Sequence, residues 1–178
     1  MIENRINHAN IRGKMTVNDL IKQMDGCAFG AGRLSKACDI LEEMQAQDVT
    51  KFFGLSGAMV PAGMRNVVSD MIRDGHIDIL VTTGANMVHD VIEAVGGYHE
   101  KGSEVADDIA LKYQHINRIY DVYLEESFFG ELENKIQSVF SSMDPAKTYS
   151  IRELMSEIGK NLDDQHSILR SAYDMGVP

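Results

Sequence analysis

Twice between Thr50 and Gly97 this sequence passes from a short apolar run, through a few small residues, into an amphipathic helical pattern. The first run, Lys51-Phe52-Phe53-Gly54-Leu55-Ser56, ends in small residues and has the length of a buried strand. Pro61 follows where the first turn of a helix tolerates it. Met64, Val67, Val68, Met71 and Ile72 then recur at helical spacing until Asp74-Gly75 closes the helix. The second run, Ile77 to Thr82, passes through Thr83-Gly84-Ala85-Asn86 into a helix marked by Met87, Val91, Ile92 and Val95 and ended by Gly96-Gly97. Strand, helix, strand, helix in this order predicts an α/β fold, a parallel sheet with covering helices.

Around this unit the pattern is mostly helical. Residues 1–15 are polar and without period, and read as an N-terminal arm. Thr16 with Asp19 three residues later predicts a capping box, and Leu20, Ile21 and Met24 share the following helical face. The glycine-rich stretch Gly26 to Gly32 interrupts it. Leu34, Ala37, Cys38, Leu41 and Met44 then mark a second helix. Tyr98 to Gln114 is polar and reads as a long loop. Ile116 to Leu124 reads as one strand or extended segment. Helices are expected at about 125–142 and 150–162, the second started by Ser150 and Glu153, and a last one from His166 to Asp174 with Gly176 as its cap.

Composition narrows the function classes. Lys+Arg 17 against Asp+Glu 27 gives a net charge of −10, which argues against a broad nucleic-acid face and leaves a basic protein or polycation as a suitable partner. No apolar run reaches the length of a membrane helix, and the N-terminus lacks the apolar core of a secretion signal, so a cytoplasmic place is expected. Two cysteines in 178 residues exclude a disulfide scaffold.

In a parallel α/β sheet, ligands bind beyond the carboxyl ends of the strands. The two junctions, Ser56 to Gly63 and Thr82 to Asp90, combine small residues with a following helix N-terminus, a setting suited to a dinucleotide pyrophosphate. Small residues also serve simply to make tight turns, and neither junction matches GxGxxG. No GxxxxGK[ST] loop is present. His89, with Asp90 beside it in the first turns of the second helix, is a candidate proton carrier or amine contact, or else a helix-start histidine that is solvated or pairs with a neighbouring acid. His76, His99, His115 and His166 are scattered, without metal-ligand spacing. Cys27 and Cys38 read as small buried hydrophobes on helices. The acid pairs Glu125-Glu126 and Asp163-Asp164 read as solvated helix starts.

The segment FFGLSGAMVPAGMRNVVSDMIRDGHIDILVTTGANMVHDVIEAV, followed by INRIYDVYL, resembles deoxyhypusine synthase and its archaeal and bacterial relatives. The resemblance starts near GCAFGAGRLSKACDILEEM and runs to the C-terminus. It implies a Rossmann-like NAD-binding fold in a homotetramer, with NAD at a dimer interface. The implied reaction oxidises spermidine with NAD and carries its 4-aminobutyl group, through an imine on an enzyme lysine, to a lysine of the translation initiation factor 5A precursor. Carried onto this chain, the NAD segments are Gly57, Ala58, Met59, Val60 and Pro61, then Thr83, Gly84 and Ala85. His89 falls where many relatives carry an acid near the polyamine, so it is the candidate substrate contact.

Two departures accompany the resemblance. SGA-x-x-P stands where many relatives have TSN-x-x-S, which removes side-chain contacts to the cofactor. The implied second half, with an acidic motif, a glycine-rich NAD segment, a histidine and the imine-forming lysine, is not in this sequence. Lys101, Lys112, Lys135, Lys147 and Lys160 match no such lysine motif. Residues 16–178 are therefore expected to be the N-terminal portion of a single domain, completed by a C-terminal segment or second chain and inactive alone. The end at Pro178 falls between a helix and an expected strand. A homospermidine-forming relative and a non-catalytic regulatory subunit are the competing expectations.

Overall fold

The computed structural model describes residues 5–178, which fall into two compact units, one up to Val49 and one from Thr50 to Pro178. The first holds helices α1 (Val17–Gln23) and α2 (Phe29–Ala46). The expected capping box forms: Thr16 Oγ1 accepts from the Asp19 amide at 3.1 Å, and Asp19 Oδ2 accepts from the Thr16 amide at 3.0 Å. Residues 5–15 carry no helix or strand, and residues 1–4 of the expected arm lie outside the described residues. The arm is nevertheless tied down, its Asn7 amide donating to the Gly26 carbonyl at 2.9 Å. A Cβ on Gly26 would lie 2.4 Å from that of Asn7, so a glycine is needed there. Cys27 sits between the two helices rather than on one, and neither cysteine is fully buried.

The second unit contains the predicted crossover. Strands β1 (Phe52–Leu55) and β2 (Ile79–Thr82) pair in parallel, Phe52 opposite Ile79 and Leu55 opposite Thr82. A π-helical turn (Val60–Met64) and α3 (Arg65–Arg73) connect them, and α4 (Gly84–Ala94) follows β2. Pro61 stands in the first turn of the π-helical segment, and Gly63, at φ 89°, turns the chain from it into α3. One core packs Leu55, Val60, Val68, Ile72, Ile77 and Ile168; a second packs Val91, Val139, Ile158, Leu162 and Leu169. Met87 on α4 touches both. So does α8 (Ile168–Met175), through consecutive residues Ile168 and Leu169, and it ends at Gly176 in the left-handed region, as expected.

Three further expectations are corrected. Tyr98 to Gln114 is not a loop throughout: it contains β3 (Glu100–Lys101) and α5 (Asp108–Tyr113), whose first amides are held by the Asp107 carboxylate. Ile116 to Leu124 is two strands, not one. β4 (Ile116–Ile119) and β5 (Val122–Glu125) form an antiparallel hairpin about Tyr120-Asp121, Tyr120 taking φ 57°. Arg118 stabilises that turn, donating to the Tyr120 carbonyl at 2.9 Å and through two nitrogens to Asp108. Asp164 is no solvated helix start, because it accepts from buried Arg65 at 2.6 Å. Helices α6 (Ser127–Ser142) and α7 (Ile151–Lys160) lie where expected, α7 with the Ser150–Glu153 capping box.

The Leu80 amide donates to the Pro178 carbonyl at 3.0 Å, while the neighbouring Ile79 amide donates to Lys51. Backbone donors alternate sides along a strand, so Pro178 lies on the edge of β2 away from β1. Among the described residues, no helix is long and apolar enough to cross a membrane.

Candidate functional site

The carboxyl ends of β1 and β2 lie side by side, and one side chain joins the junctions beyond them. Asn86, fully buried in the first turn of α4, donates from Nδ2 to the Ser56 carbonyl at 2.5 Å and to Thr82 Oγ1 at 3.0 Å. Its Oδ1 accepts from the Val60 amide at 3.2 Å. Thr82 Oγ1 in turn donates to the Leu55 carbonyl at 3.0 Å. Asn86 thereby fixes both loops, and only its side chain could satisfy the Ser56 and Val60 backbone groups together. The Thr83 hydroxyl caps α4 through the Asn86 amide.

The anticipated cofactor residues divide into two groups. Gly57, Ala58, Thr83, Gly84 and Ala85 are exposed on the surface of the two junctions. A Cβ on Gly57 would come within 3.6 Å of Thr83 Oγ1, so the loops touch here with little relief between them. Ala58 takes φ 67°, which turns the chain out of β1. Met59 is half-buried, whereas Val60 and Pro61 are buried; Val60, only 2% exposed, belongs to the core. The Gly57-Ala58 backbone is exposed at this junction. The amides of Gly84 and Ala85 open a helix N-terminus beside it, a favourable place for an anion.

Below this surface, α4 carries two charged clusters. Asp90 is 0% exposed and accepts five bonds at its carboxylate and carbonyl oxygens. Arg65 donates from Nε to Oδ1 at 2.7 Å and from Nη2 to the carbonyl at 3.1 Å. The Ile168 amide donates to Oδ1 at 3.0 Å. Oδ2 takes the Ser167 hydroxyl at 2.8 Å and the Leu169 amide at 3.0 Å. Asp90 thus clasps the N-terminus of α8 to α4. Burial opposes the charge on Arg65, but Asp90 and Asp164 outweigh it and hold the guanidinium above its ordinary pKa. Asp164 is also drawn in: burial raises its pKa, yet the His166 amide and Arg65 bring it below the ordinary carboxylate value.

The second cluster is a chain of three groups. His99 Nδ1 lies 2.6 Å from Glu93 Oε1, and His99 Nε2 lies 2.9 Å from His89 Nδ1. The imidazole rings tilt at 59° with centroids 4.9 Å apart. Burial first, and the charge of His99 second, lower the pKa of His89 to about 4, against a smaller opposing pull from Glu93. His89 is therefore neither a solvated helix-start residue nor isolated, and His99 is not a scattered histidine. Among the described residues His89 Nε2 has no hydrogen-bond partner, yet no buried side-chain polar atom lacks one. That nitrogen accordingly reaches solvent.

A groove of about 530 Å³ runs from Thr83 and Gly84 past Leu80 and Met87 to Met155, Leu169, Ala172 and Pro178. It follows the β2 edge on which Pro178 lies. Asn86, Arg65, Glu93 and His99 carry roles beyond those expected from the sequence. Polar residues at i, i+4 and i+7 on the inward face of α4, Asn86, Asp90 and Glu93, were the available signal.

Comparison with known proteins gives the family and the fold. The family model for deoxyhypusine synthase matches residues 19–178. The chain is 58% identical over 171 residues to "Probable deoxyhypusine synthase 1" of Methanosarcina mazei, covering 96% of this chain and 54% of that protein. It is 40% identical over 174 residues to its counterpart in Archaeoglobus fulgidus, covering 98% and 57%. A "Deoxyhypusine synthase-like protein" of Chlorobaculum parvum is 36% identical, with 97% and 51% covered. This chain thus spans about half the length of the curated relatives it matches. A crystal structure described as a deoxyhypusine synthase from Entamoeba histolytica shares the fold with a TM-score of 0.64 at 13% identity, covering 97% of this chain and 60% of the other. With a family model matched over nearly all of its length and relatives at this identity, the chain belongs to the deoxyhypusine synthase family.

Proposed function

We propose that this chain is the N-terminal portion of an NAD-dependent aminobutyltransferase, completed by a C-terminal segment or second chain that supplies the imine-forming lysine. The complete protein transfers the 4-aminobutyl group of spermidine to a lysine of the translation initiation factor 5A precursor, as a cytoplasmic homotetramer. The observation that carries this reading is the pair of parallel junctions held together by Asn86, with His89 one turn further along α4. Family membership supplies the reaction class.

The residues present suit NAD in a Rossmann-like setting. Gly57 and Ala58 offer backbone without bulky side chains, and Thr83, Gly84 and Ala85 offer the capped N-terminus of α4. Met59, Val60 and Pro61 support that surface from below. NAD would accept a hydride from the carbon next to a spermidine nitrogen and return it at the end of the transfer. The protein's own part is to position the amine and take its proton, since an ammonium centre cannot give up hydride. His89 Nε2, neutral and open to solvent, is suited to both. The −10 charge favours a polyamine and a basic protein acceptor.

The groove beside β2 is the place for the completing segment. Pro178 already pairs with Leu80, Val81 is 58% exposed on the same strand, and the matched relatives are about twice as long. The test is to incubate the complete assembly with labelled spermidine, NAD and the factor precursor, with the present chain alone as control. Label on the precursor, absent with the chain alone, is expected. Label only in small polyamines would favour the homospermidine-forming reading, which the histidine at position 89 in place of an acid also suits. No label anywhere would leave the non-catalytic subunit.

A further inference from the structure

We propose that His99 and Glu93 are positioning residues that fix His89 as the Nδ1–H tautomer, so that its free Nε2 accepts the proton of the substrate amine and the charge comes to rest on His99. This rests on the reading above, in which the junction surface takes NAD and a polyamine.

The direction of the chain follows from donor chemistry. A carboxylate only accepts, so at the 2.6 Å contact His99 Nδ1 carries the hydrogen. Neutral His99 then has an acceptor at Nε2, and the 2.9 Å contact requires His89 Nδ1 to donate. Nε2 of His89 is left with a lone pair, and it is the atom open to solvent. Histidines fixed through the nitrogen remote from their chemistry are a recurring device for setting tautomer and orientation.

The relay is rigidly backed. The His99 side chain is only 6% exposed. Glu93 Oε2 lies 3.7 Å from Arg65 Nη1, and Arg65 is itself pinned by Asp90 and Asp164. The turn bringing His99 under His89 depends on Gly96 at φ 101° and on Gly97, where a Cβ would lie 2.6 Å from the Ile92 side chain. Glu93 and His99 are the charged groups that act on His89, and Arg65 reaches the pair only through Glu93.

In the step, the amine N–H bond breaks and its proton forms a bond to His89 Nε2, the nitrogen keeping the electron pair. The His89 Nδ1 proton moves to His99 Nε2. His89 ends neutral as the Nε2–H form, and His99 ends as an imidazolium paired with the Glu93 carboxylate. One proton has moved and nothing is oxidised. Burial keeps charge off His89 down to about pH 4, and the ion passes to the ring that lies 2.6 Å from the Glu93 carboxylate.

The experiment has two readouts. Nitrogen-15 spectra of the histidines report the tautomer in the chain without any substrate. At neutral pH His89 is expected as Nδ1–H, the opposite of the form a solvated histidine side chain favours. His99→Phe, which keeps a ring but removes the acceptor, is expected to return it to Nε2–H. An Nε2–H form in the unaltered protein would overturn the relay, whatever the protein's reaction. The second readout is turnover of the complete assembly. His99→Phe is expected to lower kcat at least tenfold at neutral pH with NAD affinity unchanged. Glu93→Gln, whose amide oxygen still accepts from His99, is expected to keep the tautomer and displace the acid limb of the rate profile. Full activity in His99→Phe alongside loss in His89→Ala would remove His99 from the mechanism while leaving His89 in it. An assembly with the expected tautomer but no action on spermidine would instead overturn the proposed function.

Discussion

Asp90 and His89 are consecutive residues on one helix with opposite outlooks. Asp90 faces inward, and its oxygens are filled by Arg65, Ser167 and the first amides of α8. His89 is held from one side by His99, and its other nitrogen is left open. A closed set of bonds around a buried charge fixes geometry and has no capacity left for a ligand. An open one, backed by a fixed partner, can bind or move a proton. The difference separates structural from chemical polar groups on α4 without reference to the family.

The largest expected effect lies on the closed side. Asp90→Asn leaves Arg65 with a neutral partner in the core and weakens the hold on α8, a change of about 3–5 kcal/mol when one partner of a buried pair is lost. The midpoint of denaturant unfolding should fall at nearly constant slope. Stability near that of the unaltered chain would mean that Asp164 alone suffices for Arg65, and the contrast with His89 would fail. Next comes Asn86→Ala. It strands the Ser56 carbonyl and the Val60 amide, costing on the order of 2–3 kcal/mol. In the complete assembly it should also weaken NAD binding severalfold, which calorimetric titration would measure.

On the open side the effect should be kinetic. His89→Ala is expected to lower turnover of the complete assembly by an order of magnitude or more with the unfolding midpoint little changed. Loss of stability without loss of rate would return His89 to a packing role. Acid gives a finer measure. The pKa of His89 falls from an ordinary 6.5 to about 4 on folding, so the unfolded chain binds more protons between those values. Stability contributed at neutral pH should therefore decline as pH falls from about 6.5 to about 4, by on the order of 1–2 kcal/mol after solvent screening. His89→Ala should flatten that slope.

How much of this was legible depends on sequence distance. The crossover from β1 to α4 was readable because apolar periodicity and small residues mark each boundary locally. The hairpin at Tyr120-Asp121 was hidden, since neither residue is the glycine or asparagine that usually announces such a turn, and Arg118 does the stabilising instead. Asp107, which caps α5, was visible but lay in a stretch polar enough to pass for loop. The clasp on Asp90 joins residues 77 to 79 positions apart, and no local pattern encodes such a meeting. His99 reaches His89 only because Gly96 and Gly97 reverse the chain. Of the anticipated cofactor residues, the sequence placed all eight at the junctions but could not divide exposed Gly57 from buried Val60, because a π-helical turn broken at Gly63 stands where a regular helix was expected.

Glu153 tests whether burial, rather than the bonding pattern, gives Asp90 its weight. It does for α7 in water what Asp90 does for α8 in the core: its carboxylate accepts from the Ser150 amide at 2.8 Å and from the Ser150 hydroxyl at 2.9 Å. The Ser150 amide foremost, then Lys147 at 2.9 Å, bring its pKa down from 4.5 to about 2. A carboxylate so depressed adds stability above its ordinary pKa, and the contribution disappears as pH falls from about 4.5 towards 2. Glu153→Gln removes the charge and keeps an acceptor oxygen for the cap, in a place where water already solvates either group. The unfolding midpoint at neutral pH should stay close to that of the unaltered chain, the smallest change of the series. A loss comparable with that of Asp90→Asn would show that the carboxylate's bonds matter equally in core and in water, and burial could no longer explain why one acid on this scaffold locks two helices together.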